Sequence, residues 1–316
     1  MRFLVVGAGA LGGYFGGRLL EAGRDVTFLL RPGRAAQLAR TGLVIKSPKG
    51  DLALPAPPSV QADAIGGPFD VVIVGCKAYD LAQTMESFAP AVGPATLVLP
   101  LLNGMRHLDD LRARFGAERV LGGLCMISAS LDEAGTVLHH NDMHGLTYGE
   151  LGGGRSARMQ ALEAAFAGVR FDARASDAIL QDMWEKWMFI ASAASMTCLM
   201  RGSVGDIVLA GGSDIGSAMV DECAAILAHN GFAPRAEPLA RAKAMLAVQG
   251  SPVTASMFKD IERGAPIEGE HIVGDLLRRA ADGSQAVSPL RIAAVHLRTY
   301  EARRMREQSA QSQSAA

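Results

Sequence analysis

The stretch "FLVVGAGALGGYFGG", residues 3–17, constrains the fold more than any other part of the chain. An apolar run ends in Gly7-Ala8-Gly9-Ala10-Leu11-Gly12 and passes directly into a helical pattern. G-x-G-x-x-G is a weak signal in isolation. Between a buried strand and a helix, at the start of a βαβ unit, it is the turn that receives a dinucleotide. Gly7 permits the tight turn, Gly9 lets the backbone approach a pyrophosphate, and Gly12 lets helix and strand pack closely. The helix N-terminus then turns free N–H groups and a positive dipole end toward the phosphates. Gly7, Ala8, Gly9, Ala10, Leu11 and Gly12 are therefore the expected cofactor-binding residues. A secretory signal is the competing reading of this terminus, but glycines interrupt the apolar run after about five residues, short of the usual 7–15.

Downstream, short β-rich runs alternate with helical stretches. The candidate strands are 3–7, 26–30, 70–75, 96–102 and 120–127, with helical periodicity over 11–22, 80–89 and 105–115. Buried strands alternating with helices predict an α/β fold of the Rossmann type, a doubly wound parallel sheet covered on both faces. "TVLHHNDMHGLTYGE" (136–150) reads as an added hairpin closing this domain. From Ser176 the pattern turns helical, over 177–200, 214–230, 236–248, 268–282 and 288–305. The division expected is a nucleotide-binding domain over 1–175, an all-helical substrate and catalytic domain over 176–305, and a disordered polar tail over 306–316.

A net charge of −1 with 20% charged residues favours neither nucleic acid nor a membrane surface. No stretch reaches the roughly 18 apolar residues of a membrane span. Cys76, Cys125, Cys198 and Cys223 lie far apart, without metal-like spacing, and read as reduced thiols of a cytoplasmic protein.

Polar residues at particular places suggest the chemistry. The second strand ends "FLLRPGR", where an NAD-binding fold usually carries an acid for the ribose hydroxyls. Arg31, with Arg34 nearby, suits a 2′-phosphate, which predicts NADPH over NADH. Lys77 and Asn103 follow two apolar strands, at the ends where ligands of doubly wound sheets lie. Lys186 opens a run of fourteen uncharged residues. Either it snorkels to water or it serves as a proton donor. Ser256 starts a short helix, and Glu268 lies above an apolar stripe at the start of the next. Spacing alone does not choose between Glu268 and Glu270.

With these residues quoted, the chain resembles the ketopantoate reductase (2-dehydropantoate 2-reductase) family over about 1–305. The resemblance is carried by the glycine turn, "VGCKAYD", "LLNGM", the W-x-K of Trp184 to Lys186, "SMFKDIERG" and the glutamate twelve residues after its serine. It implies a Rossmann domain joined to a helical one, and reduction of a small 2-keto acid with NADPH on the route to pantothenate. It also implies Lys186 as general acid and Glu268 as its catalytic partner. Asn103 and Lys77 would serve both substrate and cofactor, and Ser256 the substrate carboxylate. No metal is implied, and a homodimer is compatible with it.

The chain departs from the family pattern in places. Ile190 and Ala194 stand where asparagines are usual. "EGEHIVG" (268–274) replaces E-I-D-x-I-N-G, with Gly269, Glu270 and Val273 as the changes. Fewer amides make a more apolar pocket, so a related 2-keto acid is the alternative substrate. A dinucleotide sensor without chemistry is the rival of another class, disfavoured because a sensor needs no proton donor. An enzyme of opines or 6-phosphogluconate shares the architecture but fits the motifs less well. In "HHNDMH" (139–144), strict alternation would point His139 away from His140 and His144, which argues against a metal site.

Overall fold

Helix α1 (Ala10–Glu21) sets the layering of the first unit, because it is packed on two sides. The computed structural model describes residues 1–281 and 287–314. In it, β1 (Arg2–Val6) runs through the glycine turn into α1, followed by β2 (Asp25–Leu29), α2 (Pro32–Thr41) and β3 (Leu43–Lys46). A Cβ on Gly16 would fall 2.6 Å from the Phe28 ring in β2, and one on Gly17 would fall 2.8 Å from Ile45 in β3. These strands belong to two different sheets. The two glycine pairs of "GGYFGG" recur at a spacing of four, so they bare two adjacent stripes of helix backbone, one for each sheet. The larger side chains of α1, Tyr14, Phe15, Arg18 and Leu19, are completely buried.

The chain continues through β4 (Leu52–Leu54), β5 (Ser59–Val60), β6 (Val71–Val74), α3 (Leu81–Phe88), β7 (Leu97–Pro100) and α4 (Arg106–Phe115). After these come β8 (Leu121–Leu131), β9 (Val137–Glu150), α5 (Ala157–Ala165) and β10 (Asp172–Ala175). The first sheet is wholly parallel, in the order β5-β2-β1-β6-β7. Every residue of β6 and β7 is buried, which explains why these strands read as unbroken apolar runs. Strand order reverses beside β1, between β2 and β6.

Four of the five expected strands stand in this sheet. The fifth does not. Its first residue, Val120, forms one parallel bridge with Val98 of β7, and β8 then pairs antiparallel with β9 in the second sheet, whose remaining order is β10-β9-β3-β4. Gly123 permits this crossing, since a Cβ there would lie 2.3 Å from the Pro100 carbonyl oxygen. The segment 136–150 is accordingly one long strand rather than a hairpin of its own. Strands β3, β4, β5 and β10 are two to four residues long, too short for a periodicity signal.

The second unit contains α6 (Ile179–Met200), α7 (Val204–Leu209), α8 (Ser213–His229), α9 (Ala236–Met245) and α10 (Ser256–Glu262). A π-helical turn (Glu270–Gly274) leads into α11 (Asp275–Arg278), and α12 (Pro289–Ser314) completes it. Contacts divide the chain into 1–102 with 107–180, and 103–106 with 181–316. The boundary falls at Leu180 rather than 175. β10 still pairs with β9, and Ile179 would meet a Cβ on Gly149 at 2.9 Å, so this stretch stays with the first unit. The polar tail expected from 306 is helical to Ser314, continuing α12 through residues of good helix propensity such as Arg306, Glu307 and Gln308. Residues 315–316 lie outside those described, as does the last residue of the expected helix 268–282. Among the described residues no helix is long and apolar enough to cross a membrane.

A buried carboxylate ties α6 to the start of α9. Glu185 is 5% exposed and accepts from the Arg235 main-chain N–H at 2.8 Å and from its Nε at 2.8 Å. Burial pushes the Glu185 carboxyl up, and the bonds from Arg235 outweigh it, leaving the net displacement downward. A carboxyl so displaced stabilises the fold above its unfolded value and ceases to do so as pH falls through the folded one. Arg235→Met is expected to cost about 2–3 kcal/mol at pH 7, discounted because half the arginine is in water. The loss should shrink as pH falls below the ordinary carboxylate range, through the depressed folded value of Glu185, where the parent protein also loses the ion pair. Thermal unfolding followed by fluorescence of Trp184 and Trp187, both on α6, reads this difference.

Candidate active site

In the first unit, backbone rather than side chain forms the receiving surface. Gly7 has a φ of +87° and donates its N–H to the Leu29 carbonyl at 2.9 Å, which closes the turn onto β2. A Cβ on Gly12 would stand 2.1 Å from the Gly7 carbonyl oxygen, so no other residue fits without moving the turn. At Gly9 a Cβ would meet nothing within 4 Å, which leaves open space over the start of α1. Gly7, Gly9, Ala10 and Leu11 are partly exposed, whereas Ala8 and Gly12 are buried. Bare backbone, open space and first-turn N–H groups lacking helical acceptors fit the pyrophosphate of a dinucleotide.

Two arginines expected to act together have separate tasks. Arg34 donates from Nε to the Ala8 carbonyl at 3.0 Å and from Nη2 to the Gly135 carbonyl at 2.9 Å. It braces the glycine turn. Arg31 precedes α2, largely in water, 3.5 Å from Asp80. Lys77 begins the short 3-10 turn Ala78–Asp80 that follows β6, so Arg31 and the Lys77 turn meet at one edge of the sheet. An exposed pair of this kind contributes at most about 1 kcal/mol, so Asp80 leaves Arg31 available to an anion.

In the second unit, Lys186 donates from Nζ to Asn103 Oδ1 at 2.9 Å. Asn103 belongs to the four residues, 103–106, that the chain contributes to this unit before returning to the first. Gly104 follows with a φ of +77°, which allows the chain to reverse there. The bond orients the lysine, and an amide oxygen has no charge to neutralise it.

Glu268 and Glu270, which spacing does not tell apart, differ in their surroundings. Glu270 is exposed and held by Arg278 and Arg298. Glu268 is 8% exposed and close enough to His271 for its charge to act on that ring. The stretch beyond is a wide π-turn rather than the regular helix expected over 268–282. Trp187 donates its indole N–H to the Ile272 carbonyl at 2.8 Å, and such an inserted donor accompanies local widening of a helix. His271 was not singled out by spacing. Its partner is the Asn103 main chain, distant in sequence, although the histidine lies inside the quoted "EGEHIVG". Burial lowers its proton affinity most. Glu268, the bond to Asn103 and Asp275 act in the opposite sense, and Arg106 adds to the lowering. The net displacement is downward, so the ring is neutral near pH 7.

Ser256 is exposed at the first residue of α10. Of the apolar replacements Ile190, Ala194 and Val273, Ala194 and Val273 are buried, at 2% and 0%, and Ile190, one turn beyond Lys186, is partly exposed. The histidines at 139 and 144 share a face, contrary to strict alternation. Ile127 pairs with His144 and Ala129 with His139, so β9 carries extra residues opposite one step of β8. His144 Nδ1 bonds the Tyr14 hydroxyl and His139 Nδ1 the Ser47 hydroxyl, each at 2.8 Å, while His140 is exposed. Among the described residues no group of three or more metal-ligating side chains gathers.

Residues 3–153 match the family described as Ketopantoate reductase PanE/ApbA, and residues 178–301 match Ketopantoate reductase PanE/ApbA C terminal. The chain is 39% identical to the uncharacterized oxidoreductase YkpB of Bacillus subtilis, over 96% of this chain and 99% of the relative. It is 26% identical to 2-dehydropantoate 2-reductase of Nostoc sp., over 89% of each. The crystal structure of 2-dehydropantoate 2-reductase from Geobacter metallireducens superposes with a TM-score of 0.85 at 29% identity, covering 95% of this chain and 99% of that one.

The crowding at Gly12 yields a direct test. Gly12→Ala should weaken dinucleotide binding at least about tenfold, because the turn must open to admit the methyl group. Titration calorimetry with NADPH measures this.

Proposed function

The chain belongs to the ketopantoate reductase family of oxidoreductases, and on that footing we propose that it reduces a 2-keto acid with NADPH, 2-dehydropantoate first among them, to give pantoate for pantothenate synthesis. The observation that carries this reading is the bond from Lys186 Nζ to Asn103 Oδ1. It fixes an ammonium at the start of the uncharged run of α6, and Glu268, a buried carboxylate, stands in the same unit.

Bound NADPH would supply the hydride to the keto carbon. As that carbon becomes tetrahedral, negative charge grows on its oxygen. The Lys186 ammonium stabilises that charge and then passes it a proton, so the carbonyl becomes a hydroxyl. Asn103 holds the amine in place. Glu268 balances its charge and orients it. Ser256 offers a hydroxyl, and the first turn of α10 offers N–H groups, to the substrate carboxylate. In the first unit the glycine turn takes the pyrophosphate, Arg31 takes the 2′-phosphate, and Lys77 lies toward the nicotinamide end.

The substrate is the finer question. A hydroxyl on the substrate gains stability only where a partner meets it, and Ile190 offers none. A pocket of this kind discriminates weakly against an added hydroxyl, by about a hundredfold at most. Unhydroxylated branched 2-keto acids therefore belong beside 2-dehydropantoate as the second reading, and Ile190 is the observation that favours them.

Lys186→Ala should lower kcat by about 10²–10⁴-fold while nucleotide affinity stays within twofold. Steady-state NADPH oxidation over a panel of 2-keto acids reads the first and titration calorimetry the second. Undiminished turnover would end the assignment, and nucleotide binding without turnover on any member of the panel would favour a sensor. Arg31→Glu should raise KM for NADPH at least about tenfold more than KM for NADH, since only NADPH loses an ion pair. Equal changes would refute the 2′-phosphate role.

A further inference from the structure

One side chain near Lys186 has no part in the reaction as described. His271 lies in the π-turn, against the chain reversal that carries Asn103. A Cβ on Gly104 would meet the His271 carbonyl oxygen at 3.0 Å, its ring Cδ2 at 3.1 Å and its Nε2 at 3.2 Å. The imidazole thus packs close against the bare Gly104, at a position where φ is +77°. The ring also hydrogen-bonds the main chain of Asn103, in the sense that favours a protonated ring, as a bond donated to a carbonyl does. The same asparagine's side-chain oxygen receives Lys186 Nζ at 2.9 Å. The turn that bears His271 is itself held from α6 by the indole of Trp187, next to Lys186, through the Ile272 carbonyl at 2.8 Å.

These contacts form a closed circuit: Lys186 to Asn103, Asn103 to His271, His271 through Ile272 to Trp187, and Trp187 back to Lys186 along α6. From that circuit we infer that His271 is a positioning residue. By gripping the Asn103 backbone it sets where the amide oxygen stands, and through it where the Lys186 ammonium points. Asn103 sits in a four-residue excursion of the chain, so its own helix or strand does not hold it. The grip must come from the unit it visits. Glu268, Asp275 and Arg106 act on the ring through their charges, whereas its hydrogen bond goes to the Asn103 main chain. The inference rests on Lys186 being the proton donor.

The test compares His271→Gln, whose amide can still donate to a carbonyl, with His271→Phe, which fills the space without a donor. Both are made in the full chain and assayed with NADPH and 2-dehydropantoate. His271→Phe should lower kcat about tenfold to a hundredfold, as expected for a misplaced reacting group, with KM for NADPH within twofold. His271→Gln should keep kcat within about threefold of the parent, given a donor of similar reach. Crystal structures of both supply a readout independent of turnover: the Lys186–Asn103 bond should persist in His271→Gln and be broken in His271→Phe. Equal loss in the two variants, or an intact bond with full kcat in His271→Phe, overturns the inference. Gly104→Ala presses on the same contact from the other side and should reproduce the kcat loss if His271→Phe does not fold; normal kcat there also overturns it. If Lys186→Ala turns over normally, the proton-donor reading fails, while the bond distances still report whether His271 places Asn103.

Discussion

Close approach of backbone to backbone and ring, possible only where α1 carries no side chain, is the constraint on which the first unit depends. Gly12 lies against the carbonyl of Gly7, Gly16 against Phe28 and Gly17 against Ile45. Separating these surfaces by the thickness of a methyl group would lift α1 from one sheet or the other. The same closeness brings the helix N-terminus directly over the end of β1, where strand order reverses. The packing of the core and the placement of the glycine turn are therefore one requirement, met by one run of glycines. Arg34 adds to it from outside by bracing the Ala8 carbonyl.

The second unit solves a different problem. It fixes the direction of one lysine amine through residues from distant parts of the chain. An amide oxygen from Asn103 directs it, a buried carboxylate at 268 lies in the same turn system, and a neutral histidine grips the asparagine's backbone. The π-turn is what gathers these groups, since a regular helix through 270–274 would present His271 and Ile272 in other directions. Exposed Glu270, by contrast, is spent on Arg278 and Arg298. It is a structural acid two residues from a candidate functional one, and only its surroundings distinguish them.

The parallel sheet was legible because its central strands are buried on both faces and read as plain apolar runs, and α1 was legible because the glycine turn passes directly into a helical periodicity. β8 misled for the same reason. Its apolar "VLGGLCMI" carries no mark saying which sheet it joins, and the deciding contact is Gly123 against Pro100. His139 misled because strand alternation holds only while the register does, and β9 breaks it. Lys186 and Asn103 could each be noticed, but their bond joins residues far apart in the chain. Nothing local signals it.

Taken by itself, the sequence determined the local conformations that depend on neighbours along the chain: the glycine turn, the buried strands, the change from alternating to helical pattern, and the lysine that opens the uncharged run of α6. Its likeness to a family supplied the list of polar residues to watch. Tertiary structure alone decided which glutamate is buried, which arginine stays free, which apolar replacement is accessible, and that His271 belongs with Asn103. The reason is physical. Backbone preference and periodicity act over a few residues, whereas burial and hydrogen-bond partnership are set by groups that meet only after the chain has folded.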